Sequence, residues 1–167
     1  GILAWQLYAA GLPWNEALTQ AIQISTSAML DVRQNKPVIP MPGLVQFLQE
    51  CQAASILLGV VTSDETSSTM EQLGWAEINH YFQVIIGRDQ VSLGKPHPEM
   101  VERASHILGI EPQHIVVIGD TNADMQMAKQ AGVNLAIGIS SSGEEMECLL
   151  GADVMISHYE ELKIKQE

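Results

Sequence analysis

The 167-residue chain is 46% hydrophobic and 17% charged, a balance that supports a sizeable core and excludes wholesale disorder. With 8 Lys+Arg against 20 Asp+Glu, its net charge of −12 repels nucleic-acid phosphates and anionic membranes, so neither is expected as a partner. No apolar run reaches the roughly 18 residues of a membrane-spanning helix, and the apolar start lacks the basic flank and cleavage site of a signal peptide, so a cytoplasmic location is expected.

Residues 1–38 carry no strand signal. Leu18, Ile22 and Met29 fall on one helical stripe, and Trp5, Tyr8 and Trp14 read as core aromatics rather than a ligand stack. Val38-Ile39-Pro40-Met41-Pro42-Gly43 reads as a linker that divides residues 1–38 from 39–167. Beyond it, Leu44, Phe47, Leu48 and Cys51 share one face of a predicted helix. The apolar run Ile56–Val61 predicts a strand buried on both faces. A helix from Thr66 to Leu73, closed by Gly74, precedes a second strand at Val84–Ile86. Met100, Val101, Ala104, Ile107 and Leu108 mark a helix that ends at Gly109, with Pro112 just beyond. A third strand at Ile115–Ile118, a helix at Ala123–Ala131, a fourth strand at Leu135–Ile137 and a short fifth at Val154–Ile156 complete the order. Apolar strands alternating with helices predict an α/β fold with a parallel sheet between helical layers. The two cysteines, Cys51 and Cys148, match no metal spacing and read as buried thiols in a reducing compartment.

Open parallel sheets carry their functional groups on loops beyond the C-terminal ends of the strands. Val61 is followed by Thr62-Ser63-Asp64, and Ile118 by Gly119-Asp120-Thr121-Asn122-Ala123-Asp124; between them, ahead of a helix, lies Gly94-Lys95-Pro96-His97-Pro98. Asp120 and Asp124 are hard oxygen donors suited to Mg²⁺, which takes few carboxylates and keeps several waters. The plainer alternative is that Asp120 or Asn122 caps the next helix while Asp124 favours its dipole. Lys95 is one of only 8 basic residues, and Pro96 and Pro98 stiffen its loop, although a solvated lysine is the commoner fate. Thr62 and Ser63 are either turn hydroxyls or donors to phosphoryl oxygens. His97 adjoins the Lys95 loop and is a candidate substrate contact; His80, His106, His114 and His158 read as surface residues.

In this order the three loops resemble the motifs of the haloacid dehalogenase (HAD) superfamily. Val60-Val61-Thr62-Ser63 is similar to its second motif, Gly94-Lys95-Pro96 to its third, and Gly119 to Asp124 to its Gly-Asp-x-x-x-Asp turn. The similarity spans roughly residues 42–162, and its texture resembles the phosphoglycolate phosphatase and β-phosphoglucomutase-like branch. The resemblance implies a Rossmann-like α/β core at 39–167 preceded by the remnant of a helical cap at 1–38. It also implies Mg²⁺-dependent hydrolysis of a small phosphorylated metabolite through an aspartyl-phosphate. Thr62 and Ser63 would hold phosphoryl oxygens, and Lys95 would neutralise charge on the nucleophile and the phosphoryl group. Asp120 would bind Mg²⁺ directly, with Asp124 helping through water. Metal and Lys95 together would supply the positive potential that the acidic surface lacks.

One family motif has no counterpart. Asp-x-Asp-x-Thr, which carries both nucleophile and acid on the first strand, fails at Asp31, Asp64, Asp89, Asp120 and Asp153 by context or spacing. The expectation is an N-terminally truncated core without its first strand, inactive alone; the alternative is a non-catalytic HAD-like binding or interaction domain. In the family that strand lies between those ending at Thr62 and Asp120. Its absence would leave them about 9.6 Å apart, twice the usual spacing. Filling by the N-terminal piece or a partner chain is expected, rather than direct pairing of Val60 with Val117.

Overall fold

A computed structural model describes residues 38–140 and 149–164. The chain divides into two units, Gly1–Val38 and Ile39–Glu167, and the account below concerns the second. The helical stripe and aromatics expected in residues 1–38, and Cys148, lie outside the described residues.

Helix α1 spans Leu44–Ala53 and starts at Gly43, which has a φ of +78°. A Cβ there would also lie 2.5 Å from Glu160 Cγ, so both the turn and the close approach demand glycine. Leu48 and Cys51 are its buried face, and burial pushes the Cys51 thiol pKa up, the mark of an inert core residue. Strand β1 is Gly59–Val61, and α2 is Thr66–Trp75. Two sequence expectations need correction here. Ile56 and Leu57 precede the strand and are exposed. Gly74 lies inside α2, and the left-handed residue that turns the chain is Glu77, with φ 58°.

Strand β2 (Val84–Ile86) leads to α3 (Glu99–Leu108), whose Met100, Val101 and Ala104 are buried and whose C-cap Gly109 is left-handed at φ 67°. Strand β3 (Val116–Gly119), α4 (Asn122–Ala131), β4 (Leu135–Ile139) and β5 (Val154–Ile156) follow. All strand pairing among the described residues is parallel, and it falls into two separate sheets, β1-β2 and β3-β4-β5. Gly59 pairs with Val84 and Val61 with Ile86; Val116 pairs with Leu135 and Gly119 with Gly138. Among the described residues β1 and β3 do not pair, so Val60 is not in register with Val117.

Both sheets nonetheless share one core. Val61 of β1 and Val117 of β3 pack against the same cluster, which includes Ile86, Met100, Val101 and Met127. Burial is uneven across the sheets. Ile86 and Ala136 are fully buried, whereas Gly59 and Val116 are exposed and Val60, Val61, Val117 and Ile118 only half-buried. The burial on both faces expected of the first strand is therefore not met; among the described residues β1 pairs only with β2.

Candidate active site

The turn after β3 is built around one buried carboxylate. Thr121 is the N-cap of α4, and Asp124 at the third helical position completes a capping box. The Oδ2 of Asp124 accepts from the Thr121 amide at 3.0 Å and from its hydroxyl at 2.6 Å. The other oxygen, Oδ1, accepts from Lys95 Nζ at 2.6 Å, with the lysine side chain 15% and the aspartate side chain 6% exposed. Burial pushes the Asp124 carboxyl upward, but the hydrogen bonds from Lys95 and Thr121 and the lysine charge outweigh it and hold it below the ordinary carboxylate value. Gly119 makes room for this arrangement, since a Cβ there would lie 2.4 Å from Asp124 Cβ.

The Lys95 loop is held by residues that sequence reasoning passed over. Arg88 donates to the Val91 carbonyl at 2.8 Å and to the Ser92 carbonyl at 3.3 Å. Glu99 accepts from the amides of Ser92 and Leu93, both at 2.8 Å, and these bonds lower its pKa. A Cβ on Gly94 would meet Arg88 Cδ at 2.8 Å, so the glycine serves the arginine's close approach. Gln130 of α4 donates to the Pro96 carbonyl at 3.3 Å and ties the loop to the helix beside it. His97 is exposed; its Nδ1 accepts from the Glu99 amide at 3.3 Å, a local cap at the start of α3.

The loop after β1 is organised differently. The Thr62 amide continues the ladder to the Ile86 carbonyl at 3.0 Å, and the Thr62 hydroxyl accepts from the Asp64 amide at 3.1 Å. Ser63 is exposed. Asp89, from the turn after β2, accepts from the Thr66 amide at 2.8 Å and its hydroxyl at 2.9 Å, capping α2 from another loop. Those bonds hold the Asp89 carboxyl below its ordinary value. The Thr66 hydroxyl in turn accepts from the Gly87 amide at 3.1 Å and from Gln90 at 2.9 Å.

Of the five expected site residues, then, Lys95 and Asp124 are in direct contact. Asp120 is exposed at the C-terminal end of β3, and no hydrogen bond or ion pair from the described residues ends on its carboxylate. Its charge reaches Tyr159, whose hydroxyl is pushed up in pKa first by burial and then by Asp120. Thr62 and Ser63 keep to their own loop and β2. For Mg²⁺ the fit is partial: Asp120 offers a free hard-oxygen donor, whereas both Asp124 oxygens are already engaged. No group of three His, Cys, Asp or Glu residues among the described residues is arranged to hold a metal.

The family model for haloacid dehalogenase-like hydrolases matches residues 10–137. A probable phosphatase, IndB, from Dickeya dadantii is 34% identical across 75% of this chain and 55% of its own length. Phosphoglycolate phosphatase from Escherichia coli is 37% identical across 54% of this chain and 36% of its own. Among solved structures, a putative beta-phosphoglucomutase from Thermotoga maritima superimposes with a TM-score of 0.69 at 29% identity, over 73% of this chain and 57% of that one. The chain thus spans little more than half the length of the first of these relatives.

Proposed function

The chain belongs to the haloacid dehalogenase-like hydrolase family, and from that premise we propose that it serves the hydrolysis of a small phosphorylated metabolite. The observation that carries the reading is the buried Lys95–Asp124 pair set beside the exposed Asp120 at one strand end. A lysine fixed by a buried carboxylate is a preorganised cation, which stabilises developing phosphoryl charge without reorganising during the reaction.

In this reading Lys95 balances charge on the nucleophile and the phosphoryl group, held in place by Asp124. Thr62 and Ser63 donate hydroxyl hydrogen bonds to phosphoryl oxygens. Asp120 would hold Mg²⁺, with Asp124 beside it, and the ion would supply positive charge that lowers the repulsion between an anionic substrate and this acidic chain. The nucleophile is an aspartate carried by an Asp-x-Asp-x-Thr segment that is absent from these 167 residues. Its carboxylate oxygen attacks phosphorus as the ester P–O bond breaks, and a second carboxylic acid protonates the leaving alcohol. Water then attacks phosphorus, releasing phosphate and restoring the carboxylate.

Absence of that motif also favours a second reading, a non-catalytic HAD-like domain that binds a ligand or partner. Phosphate release from p-nitrophenyl phosphate separates the two. The 167-residue chain alone is expected to release none, while a protein that adds the motif is expected to turn over and to lose at least 10²-fold in kcat on Lys95→Met. Turnover by the chain alone that survives Asp64→Ala would overturn the assignment of the nucleophile. Failure of the motif-bearing protein to hydrolyse a panel of sugar phosphates and phosphoglycolate would favour the binding domain.

A further inference from the structure

We propose that Arg88 is a positioning residue for the phosphoryl site: through its amide it holds the loop that carries Thr62, and through its guanidinium the loop that carries Lys95. The link between the loops stands on the geometry; its effect on turnover rests on the proposed hydrolysis.

On the Thr62 side the link is made by the backbone. The Arg88 amide donates to the Asp64 carbonyl at 2.8 Å, and the Asp64 amide donates to the Thr62 hydroxyl at 3.1 Å. Among the described residues nothing accepts that hydroxyl's own hydrogen, so the bond from Asp64 orients the group and leaves it free to donate to a phosphoryl oxygen. On the Lys95 side the link is the side chain. Nη1 donates to the Val91 carbonyl and Nη2 to the Ser92 carbonyl, while Glu99 accepts from the amides of Ser92 and Leu93. One short turn is thus gripped through its carbonyls by a cation and through its amides by an anion. Two residues beyond Leu93 comes Lys95, itself paired with Asp124.

The choice of arginine fits this task. Arg88 is exposed, yet no carboxylate among the described residues pairs with it, although the chain has 20 Asp+Glu. Its bonds go instead to two neutral carbonyls that follow one another in the chain. A planar fork spans both, and the single point charge of a lysine does not. Gly94 supplies a second, separate observation. A Cβ there would meet Arg88 Cδ at 2.8 Å and Nε at 2.9 Å, so the residue just before Lys95 lies directly on the arginine stem. Thr62 and Lys95 come from loops after different strands, and Arg88 is the residue that touches both loops. Placement at that scale matters, because a shift of about 1 Å at a reacting centre can cost about 10²-fold in rate.

Amide exchange by NMR on the 167-residue chain tests the link. Arg88→Ala and Arg88→Lys are each expected to quicken exchange at least tenfold at Ser92 and Leu93 on one loop and at Asp64 on the other, while Ala128 inside α4 keeps its rate. Exchange unchanged on either loop overturns the link. Equal quickening at Ala128 also overturns it, since that marks a residue that only supports the fold. Kinetics of the protein that adds the nucleophile motif test the positioning role. Both variants should lose at least tenfold in kcat for p-nitrophenyl phosphate, with KM changed less than threefold. An Arg88→Lys variant as active as the parent means that charge alone acts, and a raised KM with kcat held means that Arg88 binds substrate; either result overturns the positioning role. Absence of turnover in the parent itself removes the proposed hydrolysis and the catalytic meaning of Arg88 with it, whereas the link between the loops stands or falls on exchange alone.

Discussion

The turns after β1 and β3 solve the same local problem, the free amides at the start of a helix, by opposite means. After β3 the cap comes from within: Thr121 and Asp124 satisfy one another, and Asp124 also holds Lys95 out of water. After β1 the cap is borrowed from Asp89, 23 residues further along, and the carboxylate stays at the surface. A buried charge pair is rigid and costly to break, because removing either partner strands the other charge in a low dielectric. A solvated hydrogen bond is replaced by water at little cost. The comparison therefore predicts one strong half and one pliable half of the same site.

Asp124→Ala is the severest test of that contrast. It leaves Lys95 unpaired and deletes the capping box, and a loss of about 3–5 kcal/mol in urea unfolding is expected. A loss below about 1 kcal/mol would mean that the pair is hydrated rather than buried. The same residue sets an acid limit. Its folded pKa lies below the unfolded value, so its stabilisation is complete above the unfolded pKa of about 3.9 and is lost as pH falls through the lower folded value. Unfolding midpoints followed from pH 6 downward should therefore drop below about pH 4, and Asp124→Asn should flatten that part of the curve.

Gly119→Ala comes next. The new methyl would sit 2.4 Å from Asp124 Cβ, and displacing that side chain should cost about 1–3 kcal/mol and weaken the Lys95 contact. A thermal melt unchanged from the parent would contradict the close approach. Asp89→Ala should lower Tm by clearly less than either, while amide exchange in the first turn of α2 speeds up. Should Asp89→Ala prove as harmful as Asp124→Ala, the two halves would not differ in the way proposed. Smallest in stability is Asp120→Asn, an exposed change expected to stay within about 0.5 kcal/mol. Its effect should appear instead in Mg²⁺ titration calorimetry, where equal affinities for parent and variant would rule Asp120 out as the ligand.

Several of these features were legible in the residues alone. Apolar runs located β2 and β5, and helical periodicity with the glycine stop at Gly109 located α3, to within about a residue, because apolar runs and a left-handed C-cap are local properties; α4 was placed equally well. The Thr121-x-x-Asp124 capping box is also written in the sequence; the expected cap was Asp120 or Asn122, and the structure places it at Thr121 between them. Gly74 misled because a glycine stops a helix only where the chain turns left-handed, and here the backbone stays right-handed as far as Ala76 and turns left-handed at Glu77. Ile56 and Leu57 misled because an apolar run records the tendency to be buried, not the presence of a neighbour to bury it.

By itself the sequence determined the order of elements, the parallel α/β class and the three loops that carry Thr62, Lys95 and Asp120, since each depends on spacing within a dozen residues. Only the tertiary structure decided that Lys95 belongs to Asp124, that Arg88 and Glu99 shape its loop, and that Asp89 caps a helix that begins 23 positions earlier. It alone decided, too, that among the described residues β1 and β3 lie in separate sheets over a common core. Such contacts join residues distant in the chain, and their energies depend on burial and distance, which periodicity and composition do not encode.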